Sequence, residues 1–172
     1  MAAAKAKKTP PPPPLVANRK KIMAFIAQSE DADRLAALTR NASAQGASDV
    51  ANASFRKLVS LVPAAQLGTV EHDFWQTVQA FEFTLTEERG KATRLSRTRQ
   101  KVAKVGVVEI LIEWATDAHP TDGFKMMVER GMPDLTGEAV TLRHAASFAE
   151  PVLEAARRRL TAAGIDPNSL PR

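Results

Sequence analysis

Seven cations fall within residues 89–104, namely Arg89, Lys91, Arg94, Arg97, Arg99, Lys101 and Lys104, and no Asp or Glu lies among them. Guanidinium forks bind phosphate oxygens in pairs, and the interleaved Thr93, Ser96, Thr98 and Gln100 add neutral hydrogen-bonding groups for the remaining oxygens. On a helix Arg94, Arg97, Lys101 and Lys104 recur at i, i+3, i+7 and i+10, which predicts one solvent-facing stripe. The chemistry expected of such a stripe is contact with a polyanion. The competing reading is a solvated basic face paired with the chain's own Glu87, Glu88, Glu109 and Glu113. No aromatic residue interleaves with the arginines, so stacking on single-stranded bases is unsupported. A helix-turn-helix does not fit either. Val102-Ala103 before Gly106-Val107 is one residue short of its turn, and Val107 to Ala115 is too apolar to lie in a groove.

Other residue types point to no reaction. His72, His119 and His144 lie at no metal-binding spacing, and each is read as a surface or capping residue. Glu82 could meet Glu109 or Glu113, which share a helical face four residues apart. That arrangement would be a salt-bridged surface or, as a weaker alternative, an acid pair holding Mg²⁺ for phosphodiester cleavage. Phosphate-binding glycine loops and nucleophile elbows are missing, and the glycines stand singly as helix stops. With no cysteine in 172 residues, disulfides, thiolate zinc sites and a thiol nucleophile are excluded. No catalytic residue, metal or cofactor is assigned.

The formal net charge of +5 is unevenly placed. Lys5, Lys7 and Lys8 make residues 1–17 basic, and 89–104 supplies the rest of the excess, while the intervening and following stretches are net acidic. Potential near a surface is screened within about 8 Å at physiological salt, so a local patch says more than the total. No apolar run approaches the length that crosses a bilayer, and Pro10 to Pro14 stand where a signal peptide needs an apolar stretch. The expectation is a cytoplasmic protein without a membrane partner.

The elements that must position these residues read as helices. Residues 1–17 are expected to be a disordered Lys/Pro-rich arm, and 18–167 a single helical domain followed by a tail at 168–172. Asn18 and Ser29 open the first two helices. A helical hairpin is expected over 30–62, with Leu35, Leu38 and Ala42 on one helix, Gly46 at the turn, and Val50, Phe55, Leu58 and Val59 on the other. Thr69 opens a core helix over 70–89, whose stripe of Val70, Phe74, Val78, Phe81 and Leu85 predicts that Phe74, Phe81 and Leu85 are all buried. The basic segment follows, with Leu95, Val102 and Val105 as its apolar side. C-terminal helices are expected over 107–164. Val107 to Ala115 is ambiguous between helix and strand and is read as helix. Ala139 to Leu142 leaves open a minor β element near 139–143. Ser147-x-x-Glu150 reads as a capping box, and Gly164-Ile165 as a Schellman stop. The fold class is an all-α, compact multi-helix bundle.

Leu35-x-x-Leu38, Gly46, Ala51-x-x-x-Phe55 and Pro63 fall at the spacings of a tetratricopeptide-type repeat, which residues 32–63 resemble as one degenerate copy. Leu35, Thr39 and Ala42 stand where the pattern has tryptophan, glycine and tyrosine. The resemblance implies two antiparallel helices and does not imply a peptide groove. Taken together, the sequence suggests a small, non-enzymatic and regulatory nucleic-acid-binding protein. The alternative is an adaptor that docks an acidic protein through the hairpin or the basic stripe.

Overall fold

A computed structural model describes residues 18–61 and 65–171. The arm expected at 1–17 and the helix stop at Pro63 lie outside them. Among the described residues there are nine α-helices, three short 3-10 turns and no strand, so the fold is an all-α, multi-helix bundle. The chain divides into two compact units, the first ending at Leu58 and the second beginning at Val59.

The first unit holds α1 (Arg19–Gln28), α2 (Ala32–Ala44) and most of α3 (Ser48–Ser60). Asn18 precedes α1 without a side-chain cap bond, and Asp31, not Ser29, caps α2 by accepting from the Arg34 N–H at 3.0 Å; Ser29 ends α1 and accepts from the Asp31 N–H. Gln45 to Ala47 form the turn into α3, where the Ala47 N–H closes back on the Ala42 carbonyl. Leu35 and Ala42 of α2 are buried, as are Val50 and Phe55 of α3. Thr39, at the position where a glycine would let backbones approach, is buried and donates to Ser54 Oγ at 2.9 Å. The two hydroxyls sit at matching distances from the turn, so α2 and α3 run antiparallel. Ser54 in turn donates to the Val50 carbonyl, so both buried hydroxyl protons are used.

The second unit is built on α4 (Val70–Arg89), which Thr69 opens by accepting from the His72 N–H at 3.2 Å. It is followed by α5 (Ser96–Val105), α6 (Val107–Thr116), α7 (Asp122–Glu129), α8 (Gly137–Arg143) and α9 (Glu150–Ala162). Phe74 and Val78 of α4, Ile110 and Leu111 of α6, Val140 of α8, and Val152, Leu153 and Ala156 of α9 form one core. Phe74 stacks on Trp114 with ring centroids 5.3 Å apart and meets Trp75 edge-on. Phe74 and Leu85 are buried as the stripe predicts, but Phe81 is only half-buried, because it lies where α4 borders a cavity described below.

Four local expectations are corrected or decided by the structure. Residues 139–143 belong to α8, not to a strand; Thr136 caps that helix by accepting from the Ala139 N–H. Because α8 is buried on nearly every side, its apolar residues carry no 3.6-residue period to betray it. Val107–Thr116 is helical. Ser147 does not form a capping box, since 145–147 make a 3-10 turn and α9 begins at Glu150 with Pro151 in its first turn, where no N–H is missed. The Schellman stop is present: the Ile165 N–H bonds the Leu160 carbonyl, and Gly164 takes φ +77°.

Candidate nucleic-acid interface

The basic residues occupy three settings, not one stripe. Arg89 ends α4, and Gly90 turns the chain out of that helix with φ +64°, a conformation that strains any residue with a side-chain Cβ. Lys91 and Arg94 lie in the link that follows. The helix does not begin until Ser96, so Arg94 precedes it and does not share its register. The link is fixed by its threonines. The Thr93 N–H donates to Thr86 Oγ1 at 2.9 Å, and the Thr93 hydroxyl to the Lys91 carbonyl at 3.1 Å.

On α5 itself the cations divide between two faces. Arg99 points inward. It donates from Nε and Nη2 to the two oxygens of Glu82, at 3.0 and 2.8 Å, and its guanidinium lies 4.9 Å from the centre of the Trp75 ring. The same Glu82 carboxylate accepts from the Leu95 N–H at 2.7 Å, so one acid on α4 holds both the entry and the first turns of α5. That carboxylate also keeps the Arg99 guanidinium protonated beyond its ordinary range. Leu95 and Val102 pack against the core beside it, whereas Val105 is exposed and does not continue the apolar side.

Arg97, Gln100, Lys101 and Lys104 occupy the opposite, exposed face. Lys101 pairs with Glu113 of α6, and both side chains are half-exposed. No carboxylate among the described residues pairs with Arg89, Lys91, Arg94, Arg97 or Lys104. The internally paired reading therefore holds for Arg99 and in part for Lys101, and its partners are Glu82 and Glu113. Of the interleaved polar residues, Ser96 and Gln100 face outward, while Thr98 turns toward the cavity beside Phe81.

Two charged networks that the sequence does not announce lie deeper in the second unit. Asp73 accepts from Arg143 Nη1 at 2.8 Å, His144 Nε2 at 2.9 Å and His72 Nδ1 at 3.1 Å. His72 is buried and His144 nearly so, which corrects their reading as surface or capping residues; His119 is exposed. Burial alone would raise the Asp73 carboxyl, but the hydrogen bonds from Arg143, His144 and His72 outweigh it and hold the group below the usual carboxylate range. Arg143 reaches further, to the Asp134 carbonyl at 3.1 Å and toward that of Pro171 at 3.4 Å. On the other side of α8, the fully buried Glu138 accepts from Arg159 at 3.0 Å. Arg159 also bonds the carbonyls of Trp114 and Asp117 at the end of α6. Burial pushes the Glu138 carboxyl up, against the pull of Arg159. Both networks bridge helices distant in the chain, so no local spacing marks them.

The acids near the basic segment do not assemble as a metal site would require. Glu82 is engaged by Arg99 and Glu113 by Lys101, and no group of three His, Cys, Asp or Glu that could hold a metal occurs among the described residues. No helix among those residues is long and apolar enough to cross a membrane. Compared with known proteins, the chain matches no family model, no curated protein and no solved structure.

Proposed function

We propose that this chain binds nucleic acid through its phosphate backbone, using Arg89, Lys91 and Arg94 of the helix exit and link together with Arg97 and Lys104 of α5. The observation that supports this most directly is the exposed, carboxylate-free setting of those five cations in a segment whose inward cation, Arg99, is tied down by Glu82. A rigidly docked helix presents its outer charges at fixed spacing, and fixed spacing suits a regular row of phosphates. Lys101 can join them, because an exposed pair such as Lys101–Glu113 is worth at most about 1 kcal/mol and yields to a phosphate. Arg99 leaves the set predicted from sequence and serves to hold the helix. Phosphate contacts carry little base information, so weak sequence preference is part of the proposal.

The test is fluorescence anisotropy of random-sequence duplex DNA and of RNA, at two salt concentrations, with wild type and an Arg97→Glu/Lys104→Glu variant. Binding by wild type should weaken steeply with salt, and the double reversal should abolish it while the thermal unfolding curve is kept. Failure of the wild type to bind any DNA or RNA at low salt would overturn the proposal and leave the segment as a dock for an acidic protein.

A further inference from the structure

Beside the basic segment, within the second unit, lies a cavity of about 250 Å³ that no part of the nucleic-acid proposal uses. Its floor is buried and comes from Thr77 and Val78 of α4, Phe124 and Met127 of α7, and Gly137 of α8. Its walls are the Phe81 and Trp114 rings, both half-buried. Half-buried Leu95, Thr98 and Thr121 and the exposed Asp122 form the rim. The space is thus open on one side and closed by packed side chains on the other, as ligand pockets are.

Two glycines show that this shape depends on the rings. Neither Gly123 nor Gly137 has a positive φ, so backbone conformation does not call for glycine at either place. Both lie in first turns of helices, where alanine would favour the helix by up to about 1 kcal/mol. A Cβ on Gly137 would stand 2.6 Å from Trp114 Cε3, and one on Gly123 would stand 3.2 Å from Phe81 Cδ1. The missing side chains make room for the two aromatic walls, and those walls enclose a void instead of closing it.

We propose that this cavity binds one small, uncharged, planar aromatic molecule carrying a single hydrogen-bond donor. A dry apolar cavity of about 150 Å³ accommodates benzene, so about 250 Å³ suits a fused bicyclic ring. Two aromatic rings in the lining favour an aromatic guest, which can stack on or meet them edge-on. The Thr98 hydroxyl at the rim has no hydrogen-bond partner among the described residues and is an acceptor for the donor. Cations from the basic segment do not line the space, and Asp122 at its mouth disfavours an anion. The site stands independently of the nucleic-acid proposal, since its occupancy is read without DNA or RNA.

The experiment is isothermal titration calorimetry and thermal unfolding of the full chain with indole and with 1-methylindole, which has the ring but lacks the N–H. Indole at 1 mM should raise the unfolding midpoint by about 3 °C or more, and 1-methylindole should bind at least several-fold more weakly. Thr98→Leu and Thr77→Leu each put a branched apolar side chain into the space. Either variant should lower indole affinity about ten-fold or more without lowering the midpoint of the free protein. Two variants are used so that one misfolded protein does not decide the matter. No heat and no midpoint shift with either compound would overturn the site. So would indole binding that is undiminished in both filled variants, which would place the guest elsewhere. Equal affinity for the two compounds would overturn the role given to Thr98.

Discussion

Beside α8 the buried Asp73 and Glu138 each meet an arginine, whereas on the outer face of α5 Arg97 and Lys104 stand in water with no carboxylate among the described residues. Arg143 and Arg159 are largely buried and answered by Asp73 and Glu138, with side-chain exposures of 19 % and 11 % for the two arginines. Arg97 and Lys104 are exposed and pair with no carboxylate among the described residues. Removing a charge from water is so costly that it persists only when paired and hydrogen-bonded, but an exposed cation loses nothing by standing alone. Arginine is therefore a structural bracket in one region and an available ligand in the other, and burial decides which. Arg99 shows both tendencies within a single helix: it lies two residues from Arg97, yet its guanidinium belongs to the interior.

The contrast can be broken most severely at Asp73. Asp73→Ala leaves Arg143 and two histidines without their carboxylate, and the expected loss is about 3–5 kcal/mol in urea unfolding. A loss below 1 kcal/mol would mean that water already reaches this network. Glu82→Ala is the next largest change. It removes a bidentate partner of Arg99 and the acceptor of the Leu95 N–H, so about 2–3 kcal/mol should be lost. Hydrogen exchange should rise first in α5. Uniform exchange across the second unit would show instead that α5 is held by other contacts.

Titration distinguishes Asp73 from Glu138, because their carboxyls are shifted in opposite directions. The Asp73 carboxyl is depressed in the folded state, so its contribution is complete above the ordinary carboxylate range and is lost as pH falls through the folded value. The Glu138 carboxyl is raised, so the unfolded chain releases its proton first and stability falls as pH rises from the ordinary value through the folded one. Asp73→Asn should accordingly flatten the acid side of a stability-against-pH curve. An unchanged acid slope would contradict the network described for Asp73. The smallest effect on stability is expected at the exposed face, where Arg97→Ala and Lys104→Ala should each stay within about 0.5 kcal/mol of wild type. Each should nevertheless reduce the slope of log affinity against log salt by about 0.9 on duplex DNA. A large stability loss with an unchanged salt slope would move these residues into the structural class.

Much of the helical framework was legible because its signals are local. Thr69 and Gly90 bound α4, Gly46 ends the helix before α3, and Gly164-Ile165 closes α9, each acting through hydrogen bonds or a backbone angle within a turn or two. Where the pattern failed, something distant had replaced a local cue. Ala139 to Leu142 looked equally like a strand because burial on all sides erases periodicity. Ser147 resembled a cap until the 3-10 turn took it out of position. Phe81 fits the buried stripe of α4 by spacing, but the void beside it leaves the ring half-exposed. His72 and His144 carry no spacing that foretells their meeting, since His144 reaches Asp73 across 71 residues of chain.

Helical character, the ends of most helices, and the concentration of positive charge in residues 89–104 are all written into the chain locally. Those properties follow from propensity, capping and composition, which act over a few residues and need no neighbours. Which members of that run face water depends on packing between helices. Rotation of α5 about its axis is set by Glu82, 17 residues before Arg99, and by the Trp75 ring on the same helix α4. A run of like charges contains no information about that rotation, because every residue of the run satisfies the same local preferences. Only the burial of Leu95, Val102 and the Arg99–Glu82 pair makes one face inner and leaves the other, with Arg97 and Lys104, to water.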